Sequence, residues 1–184
     1  MHEKILEGAL TVFKKKGPKF TMDDIAAEMK MSKKTIYTVF KDKNELMCKM
    51  VDYAFDMIKR EEDKIFEDPS LSTVEKLRAI LAVLPENHYG YDFGAMQSVA
   101  AKYPSAYEKL TNRLDSGWDK TFDLLKQGMK EEVICNINLE MFKLIYEASI
   151  EKLLLGEFIK NNNITYPAAL NQMVDILVDG IIKK

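Results

Sequence analysis

The densest run of side chains suited to recognition is Ser32-Lys33-Lys34-Thr35-Ile36-Tyr37-Thr38. Lys33 and Lys34 carry ammonium donors that suit guanine edges or phosphate oxygens. Thr35 and Thr38 add hydroxyls and methyls, and Tyr37 adds a ring and a hydroxyl. Thr21 and Lys43 stand where helices are expected to begin, and backbone N–H groups there already favour phosphate. These residue types bind and read a polyanion, and none of them forms a catalytic set.

No other constellation points to catalysis. The two histidines, His2 and His88, lack a second ligand at metal spacing, and no nucleophile elbow or phosphate-cradling glycine loop occurs. No catalytic residue, metal or cofactor is therefore assigned. The two cysteines, Cys48 and Cys135, are isolated and read as reduced thiols. The opening MHEKILEGAL reads as an amphipathic helix rather than a signal peptide, and no apolar run approaches the ~18 residues that would span a bilayer. The expectation is a cytoplasmic protein with no membrane partner. Charge is unevenly spread. Residues 1–47 hold ten Lys against seven Asp/Glu (+3), and residues 48–184 hold 17 Lys and Arg against 22 Asp/Glu (−5). A basic head on an acidic body fits contact with phosphate at one end.

The elements that must position these groups are helical, because apolar residues recur at 3.6-residue spacing and β-type alternation is scarce. Ile5, Leu6, Ala9, Leu10 and Phe13 mark one face of an opening helix that Gly17-Pro18 stops. Thr21 with Asp24 predicts a capping box for a short helix carrying Met22, Ile25, Ala26 and Met29. Ser32 predicts the start of a helix to about Phe40, with Ile36, Val39 and Phe40 inside and Lys34, Thr35, Tyr37 and Thr38 outside. Asp42 and Glu45 predict the start of a long fourth helix that ends by Pro69. Two short helices joined by a tight turn, the second polar outside, describe a helix-turn-helix.

The stretch GPKFTMDDIAAEMKMSKKTIYTVFKDKNEL resembles the helix-turn-helix signature of the TetR (tetracycline repressor) family. Thr21, Ile25, Ala26, Ser32, Lys33, Thr35, Ile36, Tyr37, Phe40, Lys43 and Leu46 carry the match. Two positions depart from the pattern: Lys30 replaces a common turn glycine, and Val39 replaces a His or Tyr that touches phosphate. The resemblance implies that Thr21, Thr35, Tyr37 and Lys43 contact the DNA backbone. It also implies that Lys33, Lys34 and Thr38 are the better candidates for base readout in the major groove of double-stranded DNA, and Ser32, at the helix start, is counted with the DNA-binding residues. The fold class expected is all-α, with a helix-turn-helix domain over 1–47 and a helical effector-binding and dimerisation domain over 48–184.

In the body, Ser72-x-x-Glu75 predicts a helix to about Pro85, followed by a loop over 86–91 and a helix over 92–102. Pro104 predicts a single long helix to about Glu132. Asn138 predicts another, ending at Leu155-Gly156. The Asn-rich stretch 157–166 reads as a loop, and Pro167 opens the last helix. His88, Tyr89, Tyr91, Phe93, Met96, Gln97, Trp118, Phe122 and Tyr146 are candidates for an effector pocket, although ordinary core packing accounts for any single one. The last two helices are apolar on more than one side, which calls for a partner as well as a core. Phe142, Ile145, Ile150, Leu153, Leu170, Met173, Val174, Leu177, Val178 and Ile181 are candidates for a homodimer interface built as a four-helix bundle. The expected function is a regulator, in the repressor sense, that binds a palindromic operator and is released by a small apolar or amphipathic effector. The alternative is a DNA-bound adaptor of the same fold, controlled by a protein partner.

Overall fold

Helix caps chosen by the sequence set out the chain, and the computed structural model describes residues 1–84 and 96–183, without the side chains of 96 and 97. Helix α1 (His2–Lys16) runs into a 3-10 turn (Gly17–Lys19). Helix α2 (Met22–Glu28) starts on the predicted box: Thr21 Oγ1 accepts from the Asp24 N–H at 3.2 Å, and the Thr21 N–H donates to Asp24 Oδ2 at 2.7 Å. Helix α3 (Lys33–Tyr37) is capped by Ser32 and is shorter than expected, its end continuing as a turn in which the Phe40 N–H reaches Ile36 O at 2.9 Å. Helix α4 (Lys43–Glu67) starts at Asp42. Its capping box is offset by one residue: Glu45 accepts from the Lys41 N–H rather than from that of Asp42.

The body comprises α5 (Thr73–Leu81), α6 (Met96–Lys102), α7 (Pro104–Asp115), α8 (Asp119–Lys130), α9 (Leu139–Leu154), α10 (Glu157–Asn162) and α11 (Tyr166–Asp179). Two expectations are corrected here. The long helix from Pro104 is broken into α7 and α8, because Gly117 takes a positive φ of 79° and its carbonyl accepts from Lys59 Nζ at 2.8 Å. A Cβ on Gly117 would lie 2.8 Å from that same lysine and would have to displace it, and the positive φ would strain any other residue there. The stretch read as a loop after Gly156 holds α10, which ends on Asn163 in the left-handed region.

Two cores result. The head core gathers Ile5, Leu6, Ala9, Phe13, Phe20, Ile25, Ile36, Phe40 and Leu46, but it also takes Met50 of α4, Val99 of α6 and Ala106 of α7. The body core gathers Leu77, Leu124, Leu125, Ile134, Phe142, Ile150, Leu170, Val174 and Val178. Each large side chain so buried stabilises its core by about 1.5–3 kcal/mol. Gly128 of α8 admits the Ile134 side chain, which would stand 2.5 Å from any added Cβ. Helix α4 runs from one core to the other, and α7 lies along it, tied by Lys109–Asp52 at 2.9 Å and Arg113–Asp56 at 2.6 Å.

Candidate nucleic-acid interface and cavity

The turn between α2 and α3 brings the recognition residues to one surface. Lys30 sits in it with φ 51°, so the position where a glycine is common keeps the left-handed backbone even as lysine. Ile36 and Phe40 are fully buried beneath α3, which fixes the opposite arc outward. There Ser32, Lys33, Lys34, Tyr37 and Thr38 are exposed and Thr35 is half-buried. Hydroxyl geometry narrows what each can do. Thr38 Oγ1 donates to Thr35 O at 2.6 Å, which leaves its lone pairs and methyl for a base. Ser32 Oγ accepts from the Thr35 N–H at 3.1 Å and pairs with Thr35 Oγ1 at 2.8 Å, so these two hydroxyls stiffen the helix start. Thr21 uses a lone pair as cap, and its hydroxyl also bonds the Asp24 carboxylate.

The cations differ in readiness. Lys33 Nζ lies 2.8 Å from Asp23 Oδ2, and that bond raises its pKa above the usual lysine value. Lys34 is exposed and makes no ion pair with another described residue. Behind them, Lys16 holds Asp24 at 2.6 Å. That hydrogen bond, with those from the Thr21 backbone and side chain, lowers the Asp24 carboxyl from 3.8 to about 2.

Lys43, which the resemblance implies contacts the DNA backbone, is held within the chain by two carbonyls. Its ammonium donates to the carbonyls of Pro18 (3.0 Å) and Phe20, lies 4.0 Å from the Phe20 ring and is 5.0 Å from the ring of Tyr103. The 3-10 turn leaves those carbonyls unpaired, and the cation satisfies them while packing on two aromatic faces. Two of its three donors are thus used inside the protein. Lys102 and Tyr103, from the junction of α6 and α7, line the same shallow concavity as Thr21, Lys33 and Tyr37.

The middle of the molecule holds a partly open cavity of about 230 Å3. A dry cavity of about 150 Å3 already accommodates benzene, so this space is large enough for an organic ligand. Met50, Ala54 and Ile58 of α4, Leu110 and Leu114 of α7, and Leu170 of α11 supply apolar wall. Trp118 and Tyr146 line it as the sequence suggests and meet edge to face at 5.4 Å. Phe122 packs on Trp118 at 5.8 Å but is not part of the wall. His88, Tyr89, Tyr91 and Phe93 lie outside the described residues, as do the side chains of Met96 and Gln97. The walls from α4 and α11 were missed as a site, since their apolar stripes read equally well as core. Polar groups are few. Tyr146 donates to Leu81 O at 2.7 Å, and burial pushes its phenol well above the usual range. Trp118 Nε1 donates to Glu147 Oε1 at 2.9 Å. Lys59, Glu62 and Arg113 complete the polar edge.

The candidate dimer residues separate into two groups. Phe142, Ile150, Leu153, Leu170, Val174 and Val178 are buried in the chain's own core and offer nothing to a partner. Ile145 is exposed, while Met173, Leu177 and Ile181 are half-buried. The outward apolar face is Met141, Leu144 and Ile145 of α9 with Ile176 of α11, the last 73% exposed. The described residues include no cluster of metal-ligating side chains and no helix long and apolar enough to cross a membrane.

Residues 5–49 match the family described as bacterial regulatory proteins, tetR family. The chain is 29% identical over 181 residues to the HTH-type transcriptional regulator YvaF of Bacillus subtilis (strain 168), covering 98% of this chain and 95% of that protein. Among solved structures it resembles a TetR transcription regulator from Haloarcula marismortui, with TM-score 0.77 and 16% identity over 99% of this chain and 98% of that one. It also resembles the transcriptional regulator FadR from Bacillus subtilis in complex with stearoyl-CoA, with TM-score 0.66 and 18% identity over 98% of this chain and 100% of that one.

Proposed function

The chain belongs to the TetR family of DNA-binding transcriptional regulators, and on that premise we propose a ligand-released repressor. Two copies pair through the outward face of α9 and α11 and set their α3 helices into successive major grooves, about 34 Å apart or a multiple of that. Lys34 and Thr38 face base edges, and Thr21, Tyr37 and Lys33 meet phosphates. A small apolar or amphipathic effector occupies the cavity and favours a conformation whose heads are wrongly spaced for the operator. Only such a difference in affinity between conformations can move the equilibrium.

The observation that carries this reading is the cavity's position. Its walls include α4 and α7, and both helices also enter the head core. A change in cavity contents therefore acts on elements that hold the DNA-reading helices. The solved neighbour FadR with stearoyl-CoA supports the ligand side of the reading, and the cavity favours it over control by a protein partner. The test uses an operator selected in vitro from randomised duplexes and labelled for fluorescence anisotropy. Decanol and decanoate should each be screened for release of the bound protein. Release by a compound that also binds the protein supports the proposal, and binding without any change in operator affinity overturns it.

A further inference from the structure

The cavity has one charged edge, and its composition selects among ligands. Lys59 of α4 and Arg113 of α7 both line it, each with about a third of its side chain exposed (35% and 31%). Glu62 lines it too but is 8% exposed as a residue. Among the described residues the lining thus carries two cations near solvent and one anion deeper in, while the rest of the described wall is mostly apolar. Resting on the effector reading above, we propose that the cavity takes a single-tailed amphiphile with an anionic head, the tail inside and the head on Lys59 and Arg113.

Existing bonds allow this without breaking a pair. Lys59 Nζ donates to Glu62 Oε2 at 2.6 Å and to Gly117 O at 2.8 Å, which leaves one of its three protons for a ligand. Arg113 uses one Nη2 proton on Asp56 Oδ1 at 2.6 Å, and the rest of its fork remains for a carboxylate or phosphate. A cationic head would need Glu62, and taking it would displace Lys59 and leave two like charges at one edge. A neutral head would accept a hydrogen bond from either cation but would bring no opposite charge of its own. Position also matters: a charged head at two cations that are each about a third exposed stays partly hydrated, which keeps its desolvation cost low. Lys59 and Gly117 further join the head site to the break between α7 and α8, so a bound anion draws on the element that already differs most from a continuous helix.

Trp118 is the chain's only tryptophan and lines the cavity, so its emission reports occupancy directly. The experiment titrates the full-length protein with decanoate, decanol and decyltrimethylammonium, below micelle formation. Decanoate should bind about tenfold more tightly than either of the others. Arg113→Gln should remove most of that advantage while leaving decanol binding unchanged; its partner Asp56 is exposed, so the variant leaves no buried charge. Equal binding of all three, tightest binding of the cation, or an Arg113→Gln protein with the full preference would overturn the anionic-head assignment and leave the cavity reading intact. Failure of all three to bind would overturn both.

Discussion

On the proposed reading, the two adjacent lysines of α3 meet DNA under different conditions. Lys34 is free of ion pairs with described residues, whereas Lys33 has one proton held by Asp23, whose negative charge offsets part of the attraction that Lys33 offers a phosphate. Lys34→Ala should therefore weaken operator binding more than Lys33→Ala. If its contact is to phosphate, it should also flatten the salt dependence by about one unit of slope. Anisotropy titrations at several salt concentrations give both readings, and an unchanged slope and affinity for Lys34→Ala would remove it from the interface. Lys30 belongs to the same scale. A non-glycine residue in the left-handed region costs about 1–2 kcal/mol, and glycine loses about 0.5–1 kcal/mol of that advantage through chain entropy. Lys30→Gly should thus stabilise the protein by up to about 1 kcal/mol, visible as a raised melting temperature in thermal denaturation. The motif residues were readable because their spacing is set by packing: Ile25, Ile36 and Phe40 must face inward, so their neighbours must face out. The fate of Lys43 was not readable, since the carbonyls it satisfies and the Tyr103 ring it faces come from distant sequence.

At the scale of elements, α7 is the link between the two ends. Tyr103 at its start faces Lys43, Ala106 lies in the head core, and Leu110, Arg113 and Leu114 line the cavity. Tyr103→Leu keeps an apolar contact but loses the ring that the cation faces. It should leave effector binding, read by Trp118 emission with decanoate, unchanged, while reducing the release of operator by the same compound. An equal loss of both would show a structural role instead. The break that separates α7 from α8 escaped sequence reading for a definite reason. Leu110, Leu114, Trp118, Thr121 and Leu125 keep helical spacing straight through Gly117, so the periodicity gives no sign of the turn. The bond from Lys59 to the Gly117 carbonyl, a contact across 58 residues, is what favours it. The capping boxes at Thr21 and Ser72 were legible because both partners lie within one turn.

For the whole molecule, the proposed dimer rests on α9 and α11. Two-sided apolar helices predict a partner, but the pattern alone does not say which side faces the chain's own core. Arg78 settles part of this by bonding Asp175 and Asp179 at 2.5 Å each, which pins α11 against α5 and turns Ile176 outward. Ile145→Glu with Ile176→Glu should yield a folded monomer with unchanged helix content and much weakened operator binding. By contrast, Val174→Glu should unfold the body, since it places a charge in a fully buried site. Sedimentation and circular dichroism separate the two outcomes.

The most direct test of the account is the sequence that the purified protein enriches from randomised duplex DNA. A dimer that reads major grooves through α3 should enrich a palindrome whose half-sites are centred one helical turn, or a multiple of it, apart. Lys34→Ala or Thr38→Ala should relax the same base position in both half-sites. Enrichment of a single unpaired site, or of no sequence at all, would contradict it.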